Sequence, residues 1–199
     1  MLTISPLFRF NNITIYKKFT LMIPKNENTK REFKIKNKNL SGDEFYFITE
    51  IGHNHQGNID KAFELIKQSK EAGSNAVKFQ KRDNKDLYTK KFFNEKYNNR
   101  NSYGETYGLH REALEFEKSE YKELQSYAKE IDIDLFATPF DLKSVDFLSE
   151  LNMPAFKIAS VDLKNTILQR EIAKQNKPIF LSTGGGTLDD VKRAHDNRS

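Results

Sequence analysis

The sequence predicts an α/β fold organised around a parallel sheet, and three observations support this prediction. Apolar segments of strand length alternate with amphipathic segments of helix length along most of the chain. The apolar segments, such as Ala76–Gln80, are hydrophobic at nearly consecutive positions, which is typical of strands buried on both faces. Polar side chains gather at the C-terminal ends of these segments, where α/β proteins place their active sites. An open doubly wound sheet and part of a (β/α)8 barrel both fit this pattern.

The N-terminal part of the chain differs from the rest in charge and pattern. Residues 1–32 are irregular and are predicted to form a basic, solvated leader, with Met22 as an alternative start to Met1. Residues 1–40 hold nine Lys or Arg against two Glu, whereas the remainder carries a net charge of −2. Glu32–Leu40 alternates apolar and charged residues, which predicts a short edge strand.

The first strand is predicted at Phe45–Glu50, a nearly continuous apolar run that ends in a carboxylate. The helix that follows has apolar residues at helical spacing. Asn58 or Asp60 caps its start and Gly73 ends it. The second strand is predicted at Ala76–Gln80.

The segment 81–117 is rich in Asn, Lys, Tyr and Glu and is longer than an ordinary connection. We therefore predict a functional loop there rather than a spacer. A helix with an apolar stripe follows at Ser119–Ile131, and the third strand is predicted at Ile133–Thr138. Asp141 is the predicted N-cap of the helix Leu142–Leu151.

The last elements continue the same alternation. The fourth strand is predicted at Ala155–Ala159, and Asn165 opens a helix that ends near Lys174. The fifth strand is predicted at Pro178–Ser182, and Thr187 starts a helix whose first turn is acidic, which suits its dipole. Because five strands cannot close an eight-stranded barrel, we interpret the chain as a truncated fragment.

Composition excludes several classes of protein. The 199 residues include no cysteine, which excludes disulfides and thiolate metal sites and favours a reducing, cytoplasmic location. No apolar run approaches the roughly 18 residues of a membrane span, so no membrane partner is expected. The folded part shows no basic surface interleaved with stacking aromatics, so no nucleic-acid partner is expected.

Cationic and hydroxyl side chains at strand ends predict an anion-binding site. Lys78 and Lys157 each lie late in an apolar strand, where a compact positive charge can bind phosphate or carboxylate. A lysine that extends its ammonium group to solvent is the simpler explanation of either one alone. The third to fifth strands end in hydroxyl donors: Thr138, Ser160 and Ser182. The glycine run within Ser182–Thr187 can offer N–H groups to an anion, although a flexible turn explains it equally well.

Glu50 and Asp162 are the candidate catalytic acid and base. A carboxylate beside a desolvated strand end can have its pKa raised toward neutral pH, while a salt bridge to the strand-end lysines is the alternative role. His53 and His55 have a spacing that can chelate a metal, but hydrogen-bonding roles are favoured and no metal ligand is assigned.

Seven segments, in this order, resemble the sialic acid synthase family, which includes N-acetylneuraminate, legionaminate and pseudaminate synthases. The matching segments are Glu50–Gly57, Ala72–Gly73, Val77–Gln80, Tyr107–Glu112, Ala137–Asp141, Phe156–Ser160 and Leu181–Gly184. The similarity extends over residues 33–199 and selects the barrel. It implies about five of the eight parallel strands of a (β/α)8 barrel, preceded by a short β segment.

The resemblance also implies an activity in surface carbohydrate biosynthesis. Family members condense phosphoenolpyruvate with an N-acetylated aminosugar of the N-acetylmannosamine type and release phosphate and a nine-carbon 2-keto sugar acid. The residues implied to bind phosphoenolpyruvate are Lys78, Thr138, Lys157, Ser160 and Ser182. Glu50 and Gln80 would lie against the sugar, with Glu50 handling a proton, and Asp162 would lie near the reaction centre.

Other family features have no counterpart in this chain. Family members use a divalent metal, Mn or Mg, and form homodimers in which an arginine of a C-terminal antifreeze-like domain reaches the partner's active site. The metal-binding histidines and further sugar contacts come from strands six to eight. Because these regions are absent here, the fragment alone is expected to be inactive.

Val161 and the Gly185-Gly186 pair depart from the usual family residues and leave the subfamily open. The alternatives are another phosphate-binding barrel enzyme, such as an aldolase or a keto-acid synthase, and a non-catalytic half-barrel. Tyr88, Tyr103 and His110 of the segment 81–117 are candidates to line the entrance of the site.

Overall fold

The computed structural model describes residues 45–196 together with the short segments 9–10, 13–14, 34–35 and 38–39. One parallel sheet contains the strands β1 (Ile48–Gly52), β2 (Ala76–Lys81), β3 (Asp134–Pro139), β4 (Phe156–Ile158) and β5 (Ile179–Leu181). The helices are α1 (Ile59–Glu71), α2 (Asn84–Leu87), α3 (Lys90–Phe93), α4 (Tyr107–Glu112), α5 (Lys118–Glu130), α6 (Leu142–Glu150), α7 (Thr166–Ala173) and α8 (Leu188–Asp196), with a 3-10 turn at Ser160–Asp162.

The strands lie side by side in the order in which they occur along the chain, and each neighbouring pair is parallel. A doubly wound sheet reverses its strand order at a switch point, whereas a barrel adds each strand to the edge of the preceding one. The sequential order therefore favours the barrel over the doubly wound alternative.

Most predicted elements are confirmed, with boundaries that move by at most three residues. Asn58, rather than Asp60, caps α1, because its side chain accepts a hydrogen bond from the Lys61 N–H at 2.8 Å. Asp141 caps α6 by accepting from the Ser144 N–H at 2.7 Å.

The segment 81–117, predicted as a loop, contains three short helices. Asp83, Thr89 and Thr106 each accept a hydrogen bond from the N–H three residues further on, and these bonds start α2, α3 and α4. The three short helices give this long connection a defined shape, and Arg111 of α4 contacts His53 in the turn after β1.

The N-terminal segments also differ from prediction. Within the region predicted as one edge strand, Lys34–Ile35 pairs with Lys38–Asn39 in an antiparallel hairpin. In the leader, Arg9–Phe10 pairs with Ile13–Thr14, so this part is not irregular. The other residues of the leader, including Met22, lie outside the described part of the chain.

Alternation along each strand divides the side chains between two faces of the sheet. On β2, Val77 and Phe79 belong to the main core beneath the helices, whereas Ala76 belongs to a second core on the opposite face. On β3, Leu135 and Phe136 divide in the same way. We call the face with the second core the inner face, because it is the one that a closed barrel would enclose.

The second core covers the inner face toward the N-terminal ends of the strands. It contains Ile35, Tyr46, Ile48, Ala76, Phe136 and Ala155, with Phe180 packed against it. The Tyr46 hydroxyl donates to Asp134 at 2.6 Å, and burial together with this carboxylate raises the pKa of Tyr46 well above its usual value. Apart from the Tyr46–Asp134 pair, apolar groups fill this end, which leaves the C-terminal ends of the strands for the other polar groups of the inner face.

Among the described helices, none is long and apolar enough to cross a membrane.

Candidate active site

The predicted site residues of β1, β2 and β3 meet on the inner face at the C-terminal ends of the strands. Lys78 is only 4% exposed, and its Nζ lies 2.8 Å from Glu50 Oε2 and donates to Thr138 Oγ1 at 2.8 Å. Glu50 and Lys78 are neighbours because the two strands pair in that register. Period-two alternation thus places a lysine, a carboxylate and a hydroxyl from three strands within one contact network.

Lys157 and Ser182 extend this network to β4 and β5. Lys157 Nζ donates to Ser182 Oγ and, at 2.6 Å, to the Ile158 carbonyl. Burial, reinforced by the nearby Lys78 ammonium, lowers the pKa of Lys157 to about 8. Glu50 and Asp162 oppose this shift.

Burial also lowers the pKa of Lys78, against the effect of its Glu50 partner. We call Glu50, Lys78, Thr138, Lys157 and Ser182 the lysine site. The Lys78 ammonium lowers the pKa of Lys157, and Glu50, which contacts Lys78, raises the pKa of both lysines. With two cations and this one contacting carboxylate, an additional anion is electrostatically favoured there.

Gln80 and Gly52 complete the surroundings of Glu50. Gln80 Nε2 lies 3.5 Å from Glu50 Oε1, a long hydrogen bond. Gly52 has φ +57°, and a Cβ there would lie 3.1 Å from Glu50 Oε1 and 3.3 Å from Gln80 Nε2. The glycine therefore permits both the turn after β1 and the approach of the two side chains.

Asp162 and Ser160 lie on the 3-10 turn after β4. Asp162 Oδ1 accepts from Asn165 Nδ2 at 3.1 Å, while Oδ2 is buried with no hydrogen-bond partner among the described residues. Burial raises the pKa of Asp162, although Asn165, Arg82 and Lys157 act in the opposite direction. Ser160 is exposed at the start of the turn. The structure thus brings Asp162 electrostatically close to Lys157.

A second polar network, which the sequence prediction missed, lies beside Glu50 and Gln80. Glu115, from the end of the segment 81–117, accepts hydrogen bonds at Oε2 from Lys81 Nζ at 3.2 Å and from the Arg82 N–H at 3.1 Å. Its Oε1 lies 3.2 Å from His53 Nε2, although the two atoms are poorly aligned for a hydrogen bond. Burial raises the pKa of Glu115, but His53, Lys81 and the Arg82 N–H outweigh it and lower the pKa overall.

His53 connects this network to two arginines. Its Nδ1 lies 3.1 Å from Arg111 Nη2 and 3.5 Å from Arg82 Nη1. A guanidinium group can only donate, so Nδ1 carries no proton and the neutral ring holds its proton on Nε2, facing Glu115. Burial lowers the pKa of His53. Glu115 acts to raise this pKa, and the two arginines act to lower it further. We call Lys81, Arg82, Arg111, His53 and Glu115 the arginine cluster.

His55 has a structural role. Its ring stacks on Phe116 at 4.1 Å between centroids, and its Nδ1 accepts from the Gly57 N–H at 3.1 Å. Burial and the neighbouring His53 lower the pKa of His55 to about 3, so the ring stays neutral.

A divalent cation is implied by the family resemblance, and the described side chains can be tested for a place to hold it. Over residues 45–196 and the short described segments, no group of three or more His, Cys, Asp or Glu is arranged to bind a metal. The two histidines after β1 each use Nδ1 as an acceptor within the protein. No chemical step is therefore assigned to a metal.

The sequential parallel sheet and the lysine site define a barrel-type α/β chain that gathers cationic groups at the C-terminal ends of its strands. Residues 65–197 match the NeuB family. The chain belongs to this family.

Curated relatives cover the same part of the chain. It is 42% identical over 151 residues to the N-acetylneuraminate-9-phosphate synthase of Drosophila melanogaster, covering 76% of this chain and 41% of the relative. It is 41% identical over 150 residues to the enzyme of the same name from Mus musculus, covering 75% and 42%. It is 36% identical to the N,N'-diacetyllegionaminic acid synthase of Campylobacter jejuni subsp. jejuni serotype O:2, covering 74% and 44%. The chain thus spans less than half the length of these relatives.

Solved structures confirm the barrel-like fold. The N-acetylneuraminic acid (sialic acid) synthetase of Leptospira borgpetersenii serovar Hardjo-bovis, in complex with citrate, superposes with a TM-score of 0.70 at 27% identity, covering 85% of this chain and 55% of that one. A truncated 3-deoxy-D-arabino-heptulosonate 7-phosphate synthase from Thermotoga maritima gives a TM-score of 0.52 at 12% identity, covering 79% and 49%. At that identity, the second similarity concerns the fold alone.

The structure brings all but one of the sequence-predicted site residues together at one end of the sheet, and Ser160 lies exposed on the adjoining turn. Their roles in binding and catalysis remain predictions.

Proposed function

We propose that this chain forms the phosphoenolpyruvate-binding part of a synthase that condenses phosphoenolpyruvate with an N-acetylated aminosugar. The single observation that supports this proposal is the convergence of Lys78 and Lys157 on the inner face, with Glu50 as the shared carboxylate. Phosphoenolpyruvate carries a phosphate and a carboxylate, and two lysines with flanking hydroxyls can neutralise both.

Each residue of the lysine site, together with Gln80 and Ser160, has a role in this proposal. Lys78 and Lys157 bind the anionic groups, and Thr138, Ser160 and Ser182 donate hydroxyl hydrogen bonds to them. An incoming phosphate competes with Glu50 for Lys78 and so releases a carboxylate beside the reacting carbons. Glu50 then handles a proton, and Gln80 orients the sugar next to it.

The reaction forms one carbon–carbon bond, from the methylene carbon C3 of phosphoenolpyruvate to the aldehyde carbon of the open-chain sugar, whose oxygen takes up a proton and becomes a hydroxyl. One water adds to C2, the C2–O bond to the phosphate breaks, inorganic phosphate leaves, and C2 becomes the ketone carbon. The cationic lysines stabilise negative charge that moves onto the departing phosphate, an electrostatic contribution that is larger in a partly buried site. Asp162, with a raised pKa, is a second group that can donate or accept a proton there.

The names of relatives leave one feature of the substrate open. Some are named for a 9-phosphate product and others for legionaminic acid, so they do not decide whether the sugar carries a phosphate.

Phosphoenolpyruvate binding to the 199-residue chain tests this proposal by isothermal titration calorimetry. Lys157→Gln should weaken binding by about tenfold or more, since a hydrogen bond to a charged group contributes about 1.5–3 kcal/mol. Lys177→Gln is the matched control, because Lys177 is half-buried before the N-terminal end of β5, away from the lysine site, and its Nζ donates to Asn152 Oδ1 at 2.8 Å. Equal weakening by both variants, or no binding by the unmodified chain, would contradict the proposal.

The activity of the whole protein requires a second test. The product of the complete gene should release phosphate from phosphoenolpyruvate only when an N-acetylated aminosugar is present. Release that depends on a sugar phosphate without an N-acetyl group would instead indicate another keto-acid synthase. Absence of any sugar-dependent release would refute the synthase assignment.

A further inference from the structure

The two lysines of the lysine site differ in what they contact. Lys78 is buried and its Nζ lies 2.8 Å from Glu50 Oε2, so a carboxylate holds it in the charged form. Lys157 forms no ion pair with a carboxylate among the residues that the structure describes, and it is half-buried. Of the two, Lys157 is therefore the side chain that can lose its proton and still be reached by a dissolved molecule.

The hydrogen bonds of Lys157 fit a neutral amine. Its Nζ donates to the Ile158 carbonyl at 2.6 Å and to Ser182 Oγ. An ammonium group has three N–H donors, whereas a neutral amine has two and a lone pair. The two acceptors therefore satisfy the neutral amine completely, and neither of them occupies the direction of the lone pair. In the neutral form, Lys157 has a nucleophilic electron pair that no described residue blocks by hydrogen bonding.

The charges around Lys157 also favour loss of its proton. Burial and the Lys78 ammonium lower the pKa of Lys157 to about 8. At pH 8, about half of the Lys157 side chains are then neutral, against less than about 1% of an ordinary lysine. Desolvation beside a second cation is a common way in which proteins activate a lysine as a nucleophile.

A proton donor lies near this amine. Asp162 Oδ2 is buried and has no hydrogen-bond partner within the described part of the chain, while Oδ1 accepts from Asn165 Nδ2. Burial raises the pKa of Asp162, and Asp162 and Lys157 each act on the pKa of the other, so the two groups are close. A buried carboxyl oxygen without a donor is less costly when it carries a proton, and that proton can be passed to a bound molecule.

The rest of the lysine site suits a carboxylate next to the reacting carbon. Lys78 Nζ and Thr138 Oγ1 lie 2.8 Å apart on the inner face and can both donate to a carboxylate. A 2-keto acid carries a carboxylate beside a ketone, so it can present the carboxylate to Lys78 and the ketone to Lys157. Phosphoenolpyruvate has no free ketone and cannot react in this way.

We propose that Lys157 condenses with the ketone of a small 2-keto acid such as pyruvate to form an imine, and that this imine loses a C3 proton to give an enamine. This activity goes beyond the proposed synthase function and does not require that phosphoenolpyruvate binds at the same residues. The side chains it needs are Lys157 as the nucleophile and Asp162 as the acid and base.

The steps balance without another reactant. The neutral amine attacks C2, one amine proton moves to the ketone oxygen, and Asp162 protonates the resulting hydroxyl, which leaves as water. The protonated imine then gives a C3 proton to the Asp162 carboxylate, while the C3–H electron pair forms the C2=C3 bond and the C=N pair returns to nitrogen. Once Asp162 has exchanged its proton with water, reversal of these steps releases the 2-keto acid with solvent hydrogen at C3.

The first test traps the imine on the full 199-residue chain with pyruvate and sodium cyanoborohydride at pH 8. Reduction leaves an adduct with the mass of pyruvate less one oxygen atom. Trypsin does not cleave after an alkylated lysine, so the labelled peptide should span residues 144–164. Lys157 should be labelled at least about tenfold faster than Lys177, which is half-buried outside the lysine site. Equal labelling of the two, or faster labelling of Lys78, would overturn the inference.

The pH dependence of trapping tests the role of the second cation. The rising limb of the rate profile should have its midpoint near pH 8, where Lys157 loses its proton. Lys78→Gln removes the ammonium that lowers the pKa of Lys157, so this midpoint should move to higher pH by about half a unit or more. A midpoint that stays in place in a folded variant would contradict the proposed activation of Lys157.

The second test measures turnover and does not depend on the folding of Lys78→Gln. In deuterium oxide with a chelator, the chain should speed the exchange of the pyruvate methyl protons, followed by proton NMR. Lys157→Arg keeps a cation but cannot form the imine, and Asp162→Asn removes the acid, so each should slow exchange by about tenfold or more. Lys177→Arg is the control and should leave the rate unchanged. Exchange that Lys157→Arg does not slow would refute the enamine.

Failure of this inference can be told apart from failure of the proposed function. If phosphoenolpyruvate binds through Lys157 but pyruvate is neither trapped nor exchanged, the imine is refuted and the synthase proposal stands. If pyruvate is trapped at Lys157 while phosphoenolpyruvate fails to bind, the synthase proposal fails and the imine is retained.

Discussion

Lys157 should lower the stability of the fold, so Lys157→Met is predicted to give a more stable protein that no longer binds phosphoenolpyruvate. Methionine has similar length and volume and fills the position beside Ser182 without a charge. The expectation follows from the pKa of Lys157, which burial and the Lys78 ammonium lower from 10.5 to about 8. At neutral pH, the folded protein must keep this group protonated in an environment that disfavours the charge.

The magnitude follows from linkage. Each unit of pKa corresponds to about 1.36 kcal/mol, so the charge costs the folded state at most about 3 kcal/mol, and solvent at the open end of the strands reduces this to about 2–3 kcal/mol. The substitution also removes hydrogen bonds to Ser182 and the Ile158 carbonyl, worth about 1 kcal/mol together, since that carbonyl still accepts from the Ser182 N–H. The net gain should be about 1–2 kcal/mol, or about 2–8 °C in Tm.

The assay is urea unfolding followed by circular dichroism, with Lys177→Met as the control, which should change the free energy of unfolding by less than about 0.5 kcal/mol. The pH dependence has a definite sign. Between pH 8 and 10.5, the unfolded lysine holds its proton while the folded one loses it, so the unmodified protein becomes more stable as pH rises. The advantage of Lys157→Met is therefore full below pH 8 and disappears toward pH 10.5.

Two results would refute this reasoning. A Lys157→Met protein that is less stable than the unmodified chain at pH 7 would mean that the hydrogen bonds of the lysine outweigh its desolvation. Undiminished phosphoenolpyruvate binding would show that this costly charge is not kept for the anion.

Three further predictions concern stability. Glu50→Gln leaves the buried Lys78 ammonium without its carboxylate partner and should reduce the free energy of unfolding in urea by about 2–4 kcal/mol. A reduction below about 0.5 kcal/mol would contradict a strong ion pair between Glu50 and Lys78. Gly52→Ala would place a side chain on a residue with φ +57°, and its Cβ would lie 3.1 Å from Glu50 Oε1. It should therefore lower the free energy of thermal unfolding by about 1–3 kcal/mol. Gly184→Ala, where the nearest atom would lie 3.6 Å away, is its control and should change little, so equal losses would exclude strain as the cause. Tyr46→Phe loses a buried 2.6 Å hydrogen bond to a carboxylate and should cost about 1–3 kcal/mol in urea, a prediction that unchanged stability would contradict.

The fold could be predicted largely from local pattern. Consecutive apolar residues in strands such as Ala76–Lys81 indicated burial on both faces, and caps such as Asn58 and Asp141 gave the helix starts. The choice between barrel and doubly wound sheet was beyond this pattern, because strand order depends on which edge each new strand joins. The short helices at Asp83 and Thr89 were missed although their capping residues were visible, since four-residue helices leave no periodic signal.

The lysine site could be predicted because its residues share one rule. Each lies in an apolar strand or directly after one, and period-two alternation directs Lys78 and Lys157 to the same face. The arginine cluster obeys no such rule. His53 and Arg111 are 58 positions apart and meet only because the irregular segment 81–117 folds back over the turn after β1. Contacts of that kind depend on loop geometry, which neither periodicity nor spacing encodes.

The sequential order of the strands also bears on how the chain is made. A ribosome releases β1 before β2 and β2 before β3, and in the described five-stranded sheet each strand from β2 onward pairs with one that has already been synthesised. Within that sheet no strand has to wait for a later one to be inserted between it and its partner, so assembly can proceed in the direction of synthesis with short loop closures. Ribosome-bound chains arrested after α5 should therefore already protect the β1–β2 pair from protease, before the lysine of β4 has been synthesised.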